Sequence, residues 1–258
     1  METVIRKIKE IQTGQVGILV YSTKNGNIVA SHNNELYVPL ASAAKVAIGF
    51  VVAKMVKDKQ ISWNDTLHHI KFNPNEDSEQ LYPHLQGRNT LTLNKAVEVM
   101  IACHDSYIAK SIVMYCGGWD TVREYISTYF SKIHIQENPR DEQNVGELNQ
   151  LLSLLVHIFQ GYKSEPVAWE PIINGMVRQQ GEYEGIPSYH LAHMTGGLPT
   201  ATINIGIIGM FNEFPFLYVI GGKDLPNRRE NKEVDEEFAA ALKHIYKEYI
   251  QNMLEVNN

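Results

Sequence analysis

The order of strand-like and helix-like segments constrains the fold of this chain more than any other feature of its sequence. Five apolar runs have the length and the bounding turn residues of β-strands: residues 15–21, 26–32, 189–197, 201–208 and 214–220. The first two flank Asn25-Gly26, a pair typical of a tight β-hairpin. Because such short turns join antiparallel neighbours, the runs predict an antiparallel sheet of five strands.

Helical periodicity accounts for most of the remaining chain. Apolar side chains recur at helical spacing in residues 1–12 and again in residues 233–254, so a helix is predicted at each end. The middle of the chain alternates helix-like segments with polar loops. The layout predicts an α+β fold in which helices flank the sheet and an all-helical lobe is inserted. We expect a single domain over residues 1–258, with an α/β lobe at about 1–40 and 185–258 and a helical lobe at about 41–184.

Composition and charge exclude several functional classes. A formal net charge of −6, with 20% charged residues and no block of basic side chains, argues against nucleic acid as a partner. No run approaches the ~18 apolar residues that cross a bilayer, so no membrane partner is expected. The N-terminal residues alternate charge with apolar side chains, which predicts a cytoplasmic protein, or a secreted one if a leader was removed. The expected partner is a small-molecule or peptide substrate, and the oligomeric state is left open.

Histidine and cysteine spacings do not indicate a metal site, so neither a metal nor another cofactor is expected. Cys103 and Cys116 fall on one predicted helical segment. At ~1.5 Å rise per residue they are too far apart for a disulfide. Both are expected to be buried as small hydrophobic side chains.

A hydroxyl and an amine lie three residues apart where a helix is predicted to begin, in the stretch Pro39 to Phe50. Ser42 and Lys45 would share one face of that helix. Unpaired backbone N–H groups in its first turn favour negative charge on Ser42. A largely desolvated Lys45 could lose its proton near neutral pH and take one from Ser42. The alternative is an N-cap serine beside a solvated helix lysine.

Two tripeptides further along the chain extend this pattern. His104-Asp105-Ser106 follows a predicted helix, and Met194-Thr195-Gly196 precedes a predicted strand. Together with Ser42-Ala-Ala-Lys45, they resemble the Ser-x-x-Lys, Ser-Asp-Asn and Lys-Thr-Gly motifs of the penicillin-recognising serine hydrolases, most closely the class A β-lactamases. The resemblance extends over roughly residues 14–250, with the second and third motifs altered.

The resemblance implies a role for the residues of the first two motifs. His104 stands where the family has a serine that relays a proton to the leaving nitrogen, a task that imidazole can also perform. Ser106 replaces an asparagine that steadies the lysine and the substrate amide. The backbone N–H groups of Ser42 and Gly197 would form the oxyanion hole. Asp105 is expected to fix its turn by accepting backbone hydrogen bonds.

The third motif implies substrate contacts along one strand, from His193, Met194, Thr195, Gly196 and Gly197. Met194 replaces a lysine that attracts the substrate carboxylate, and no arginine is found on the next strand, where residues 210–212 are placed. A lost charge-assisted contact costs about 1.5–3 kcal/mol. His193 is expected to supply part of the missing positive charge at acidic pH.

Class A enzymes also carry a loop glutamate that activates the deacylating water. Here about 25 residues separate Gly118 from a helix predicted to begin at Asn144, and Glu147 lies on that helix itself. The resemblance therefore implies a serine-dependent acyl hydrolase that acts on an amide or ester, β-lactam-like bond through an acyl-enzyme on Ser42 and deacylates slowly. The alternative is a catalytically impaired homologue that binds a small molecule or peptide in the inherited cleft.

Overall fold

A computed structural model describes residues 1–179, 181 and 183–256 of the chain. Its helices are α1 (Glu2–Glu10), α2 (Ala44–Lys57), α3 (Ser78–Leu81), α4 (Leu93–Ala102), α5 (Ser106–Tyr115), α6 (Trp119–Tyr129), α7 (Leu148–Ser164), α8 (Pro166–Arg178) and α9 (Glu233–Val256). Its strands are β1 (Gln15–Ser22), β2 (Asn27–His32), β3 (Tyr37–Pro39), β4 (Thr66–His68), β5 (Thr90–Thr92), β6 (Ile133–His134), β7 (Val145–Glu147), β8 (Leu191–Leu198), β9 (Ala201–Ile208) and β10 (Phe216–Lys223). In this part of the chain, no helix combines the length and the apolar character that crossing a bilayer requires.

Five strands form one antiparallel sheet in the order β2-β1-β10-β9-β8. The pairing of β1 with β10 joins the N-terminal hairpin to the three strands near the C-terminus. The predicted α+β fold and five-stranded antiparallel sheet are confirmed. Strand β9 has the predicted bounds, and the other four strands differ from prediction by at most three residues at either end.

Different helices cover the two faces of the sheet. Ile18 and Val20 on β1 point to one face and Leu19 to the other, because side chains alternate along a strand. Ile18 and Val20 belong to an apolar cluster that includes side chains of α1 and α9. Leu19 belongs to a larger cluster with side chains of α2, α4, α7 and α8. The end helices thus cover one face and the central helices the other, while the division into two lobes at the expected boundaries stays a prediction.

Short strand pairs replace part of a predicted helix. Strand β7 pairs with β3 and with β6, and β4 pairs with β5. The helix predicted from Asn144 begins at Leu148 instead, because residues 145–147 pair with residues 37–39. Glu147 therefore lies at the end of β7 and not on the helix.

Cys103 and Cys116 were predicted to lie on one helical segment, but the structure divides this segment into two helices. Helix α4 ends at Ala102 and α5 begins at Ser106. Cys103 and Cys116 are free and buried, as expected, and burial raises the pKa of each thiol to about 12. The break between the helices forms a turn over residues 103–105.

Phe50 lies at the centre of the helical layer. Its ring centroid is 5.2 Å from that of Phe130, 5.2 Å from His157 and 5.7 Å from Trp169. Helix α2 is apolar on nearly every side, as expected for a helix buried on all faces. The Phe50 ring thus packs α2 against α7 and α8.

Removing the Phe50 ring should leave a cavity between these helices. We expect Phe50→Ala to lower the free energy of unfolding by about 3–5 kcal/mol. Urea unfolding followed by tryptophan fluorescence measures the change. Phe214→Ala is the matched control, since that ring is 53% exposed, and its effect should stay below about 1 kcal/mol. Similar losses in both variants would contradict this account of the core.

Candidate active site

A tight turn immediately before α2 carries Ser42. Ala41–Ala43 form a 3₁₀ turn, so Ser42 precedes the α-helix and does not lie in its first turn as predicted. Ala41 has a φ of +45°, which is uncommon for a residue other than glycine. Asn144 holds this turn: its backbone oxygen accepts from Leu40 N at 2.8 Å, and its Nδ2 donates to Ala41 O at 3.3 Å. The geometry of the turn therefore depends on the loop before β7.

Lys45 lies in the first turn of α2 and reaches back to Ser42. Its Nζ donates to Ser42 Oγ at 3.2 Å, and the lysine is only 4% exposed. Burial lowers the pKa of Lys45 to about 8, while the charges of Glu76 and Asp105 raise it. About a tenth of the amines are therefore neutral at pH 7 and able to accept a proton. This geometry excludes the alternative of a solvated helix lysine.

The turn between α4 and α5 places His104 near Lys45. His104 has a φ of +56°, and the next residue, Asp105, caps α5 by accepting from Tyr107 N and Ile108 N at 3.0 Å. Asp105 therefore fixes its turn as expected. Burial, and then the charge of Lys45, lowers the pKa of His104 to about 4, so its imidazole is neutral at pH 7. Its ring makes no hydrogen bond within the described residues.

Ser106 is bound to the loop before α3 and not to Lys45. Ser106 N donates to Glu76 Oε2 at 2.7 Å, and Ser106 Oγ accepts from Asn73 Nδ2 at 2.9 Å. Asn73 N donates to Asp105 Oδ2 at 3.1 Å. The loop and the turn after α4 thus form one hydrogen-bonded unit. Glu76, which none of the three motifs marks, belongs to this unit, and its charge acts on Lys45.

Strand β8 lies against the turn that carries Ser42. A Cβ at Gly196 would come 2.1 Å from Leu40 O and 3.1 Å from Ala43 N, so any larger residue would push the strand away. Gly196 therefore contributes to the site by allowing this close approach, not through a side chain.

The outer edge of β8 leaves a backbone donor outside the sheet ladder. Thr195 N donates to Gln179 Oε1 at 3.1 Å, and Gln179 Nε2 donates to Thr195 Oγ1 at 3.0 Å. Thr195 N thus points away from β9. Since N–H groups two residues apart on a strand point to the same side, Gly197 N points outward as well.

Two residues assigned to substrate binding are buried too deeply for that role. Met194 is 0% exposed and packs in the core between the sheet and the helices, because its thioether is apolar, unlike the lysine it replaces. The expectation that Met194 contacts substrate is therefore wrong. His193 is 1% exposed and lies edge-on to Tyr183, with 5.8 Å between the ring centroids.

His193 also lacks the charge expected of it. Burial lowers the pKa of His193 to about 4, while Asn204, the described polar side chain that acts on the ring, raises it. The contact with Asn204 lacks the geometry of a normal hydrogen bond. The ring therefore stays neutral at mildly acidic pH and can supply the expected positive charge only near pH 4 and below.

A cation that no motif marks lies beside the same edge of the sheet. Strand β9 contains no arginine, and residues 210–212 follow it in a turn instead of forming the strand. Arg228, in the loop before α9, donates through Nη1 to Leu198 O at 3.2 Å and to Ala201 O at 3.1 Å. Its Nη2 lies 2.6 Å from Asp235 Oδ1.

Arg228 lines a polar cavity of about 350 Å³, together with Thr195, Gly197 and Asn204. A Cβ at Gly197 would come 3.0 Å from Arg228 Nη1. The cavity thus connects the end of β8 with a positive charge, most of whose hydrogen-bonding capacity is already engaged.

No residue of the segment before α7 provides a carboxylate next to Lys45. Glu147 is buried and paired with Lys132. The carboxylates whose charges act on Lys45 are those of Glu76 and Asp105. Within the described ranges there is also no cluster of three or more side chains that could hold a metal ion.

The sheet, the buried lysine beside a serine and the glycine-lined edge strand define a β-lactamase-like protein of the serine hydrolase superfamily. The chain belongs to the beta-lactamase enzyme family, whose model matches residues 1–249. A comparison with curated proteins gave no match.

Solved structures share the fold over nearly the whole chain. PBP-A superposes with a TM-score of 0.78 at 17% identity, covering 97% of this chain and 95% of the other. A beta-lactamase from Chitinophaga pinensis gives 0.78 at 20% identity, with 95% and 97% covered. A class A beta-lactamase from Mycobacterium abscessus gives 0.73 at 14% identity, with 96% and 98% covered. These similarities establish the β-lactamase fold.

The buried Lys45 should make stability depend on pH. Its pKa falls from 10.5 to about 8 on folding, so between these values the unfolded chain binds more protons and the free energy of unfolding rises with pH. Relative to Lys45→Met, the natural chain should gain about 2 kcal/mol between pH 7 and pH 9.5. Urea unfolding at both pH values measures this difference.

Lys57→Met, at an exposed lysine of the same helix, is the control. It keeps Lys45, so the difference in the free energy of unfolding between the natural chain and Lys57→Met should stay constant between pH 7 and pH 9.5. A difference between the natural chain and Lys45→Met that stays constant over this range would contradict the depressed pKa of Lys45.

Proposed function

We propose that this protein is a serine acyl hydrolase that opens an amide or ester bond of β-lactam type through an acyl-enzyme on Ser42. The observation that carries the proposal is the 3.2 Å contact between Lys45 Nζ and Ser42 Oγ, with the amine buried. A nucleophile within hydrogen-bond reach of a base with a lowered pKa is the arrangement that covalent catalysis requires. The proposed substrate is a small molecule or a peptide that carries such a bond.

Acylation begins when neutral Lys45 accepts the hydroxyl proton of Ser42. Oγ then bonds to the substrate carbonyl carbon, and the carbonyl oxygen becomes an oxyanion that accepts from the backbone N–H groups of Ser42 and Gly197. As the bond to the leaving nitrogen or oxygen breaks, that atom takes the proton from Lys45 through the neutral imidazole of His104. Acyl-Ser42 remains, and Lys45 is again neutral.

The substrate's polar end is proposed to lie near Thr195 and Arg228, at the end of β8. Gln179 already binds Thr195, and Asp235 already pairs with Arg228. A substrate carboxylate must compete with both partners, so we expect weak recognition of anionic substrates.

Deacylation is expected to be slow, because Glu147 is paired with Lys132 and no other carboxylate of the segment before α7 acts on Lys45. A single-residue mutant of PBP-A, which superposes on this chain with a TM-score of 0.75 at 17% identity and with 97% and 96% of the chains covered, is described as an acyl-enzyme complex with penicillin G. This likeness supports penicillin G as a first probe.

Incubation with penicillin G should add one penicillin mass to the natural chain, on Ser42, and the adduct should persist after excess reagent is removed. Ser42→Ala should form none, and Lys45→Met should acylate about 100-fold or more slowly. Intact-mass spectrometry over time measures both. Ser153→Ala, at an exposed serine of α7, should behave like the natural chain.

A fluorophosphonate separates the nucleophile from β-lactam recognition. A fluorophosphonate adduct on Ser42 without a penicillin adduct would support a serine hydrolase with another acyl substrate. No adduct with either reagent, in protein shown to be folded, would contradict the catalytic proposal and leave binding in the inherited cleft.

A further inference from the structure

The Ser42–Lys45 pair has a candidate third group that the family resemblance does not assign. Nucleophile–base pairs in hydrolases are commonly completed by a group that orients the base and stabilises its charged form. In the described part of the chain, the ionisable groups coupled to Lys45 are Glu76 and Asp105, whose charges act on its amine, and His104, on which the charge of Lys45 acts. They come from the loop before α3 and from the turn between α4 and α5.

Two of these three groups are unsuited to the task. Asp105 already accepts three backbone hydrogen bonds, from Asn73 N, Tyr107 N and Ile108 N, which hold it in the turn, and its charge raises the pKa of Lys45 less than the charge of Glu76 does. His104 is neutral at pH 7, so it cannot stabilise an ammonium by charge. Glu76 remains, and among the described residues its carboxylate is hydrogen-bonded only to Ser106.

The loop before α3 holds Glu76 in place. Ser106 N donates to its Oε2 at 2.7 Å, and Asn73, three residues earlier, is bonded to both Ser106 and Asp105. Burial raises the pKa of the Glu76 carboxyl, while the Ser106 N–H and the charge of Lys45 lower it. The carboxylate is thus half-buried, anchored on one side and electrostatically coupled to the amine.

We propose that Glu76 is the third member of this catalytic unit, a positioning residue that stabilises the ammonium formed when Lys45 accepts the Ser42 proton. The proposal rests on the proposed function, because it concerns the acylation of Ser42. No proton moves to Glu76: the proton goes from Ser42 to Lys45, and the carboxylate stays anionic. Ser106, shorter than the asparagine of the family motif, leaves Lys45 without that partner, and Glu76 takes its place from a different loop.

Glu76→Gln tests the charge alone, since the amide oxygen can still accept from Ser106 N. Titration of the Lys45 side chain by NMR, with ¹³C-labelled lysine and assignment by Lys45→Met, should show a midpoint about one pH unit lower than in the natural chain. The plateau rate of Ser42 acylation by penicillin G at pH 9.5 should fall about tenfold, because the ammonium formed in the reaction loses its counter-charge. Glu76→Asp should restore part of the Lys45 midpoint and part of the plateau rate of acylation.

Glu79→Gln is the matched control, since it removes the same charge from an exposed residue of α3, and it should change neither value. An unchanged Lys45 midpoint in Glu76→Gln would overturn the proposal while Ser42 acylation stands. A lower midpoint with an unchanged plateau rate would also overturn it, because Glu76 would then affect only the resting protein. If the natural chain forms no acyl-enzyme, the proposed function fails and the catalytic role of Glu76 fails with it, whatever the midpoint.

Discussion

The structure depends on keeping the amine of Lys45 out of water and within hydrogen-bond distance of Ser42. Removing a charged amine from water is unfavourable, so the packing around the side chain has to keep the amine buried. Helix α2 meets this condition because it is buried on nearly all sides, with Phe50 packed among four aromatic rings one and a half turns beyond Lys45. The same burial that disfavours the ammonium lowers the pKa of Lys45 into the range where it can act as a base.

The remaining elements bring donors and charges to that amine. The 3₁₀ turn before α2 and the turn before α5 each contain a non-glycine residue with positive φ, Ala41 and His104. Such conformations cost of order 1–3 kcal/mol and persist only where surrounding contacts impose them. The hydrogen bond from Asn144 to Ala41 O holds the first turn. Asn73 is hydrogen-bonded to Asp105 and Ser106, which follow His104 in the second turn. Both conformations lie next to the proposed chemistry, although residues other than glycine also adopt a positive φ elsewhere in the chain, at Asn33, Lys59, His69 and Asp224.

Much of the fold could be predicted from local patterns, because strand alternation and helix periodicity are properties of single segments. The Asn25-Gly26 turn and the spacing of apolar residues were sufficient for the five-stranded sheet. The spacing of Ser42 and Lys45 likewise indicated their contact, since it depends on one turn of chain. Residues 145–147 were predicted as helix because their pairing with residues 37–39 is a long-range contact that local periodicity does not report.

The charged groups of the site were harder to predict for the same reason. Glu76 lies 30 residues from Ser106, and Arg228 lies 27 residues from Ala201, so only the folded chain shows what they contact. Met194 and His193 occupy motif positions, but the motif does not reveal that the first packs in the core and the second is buried against Tyr183.

The most direct test of the central claim is the rate at which a fluorophosphonate labels Ser42 in the natural chain, measured from pH 6 to pH 10. If neutral Lys45 is the base, the rate should rise with pH and level off with a midpoint near pH 8, the pKa that burial gives the amine. A labelling rate independent of pH over this range would show that Lys45 does not activate Ser42.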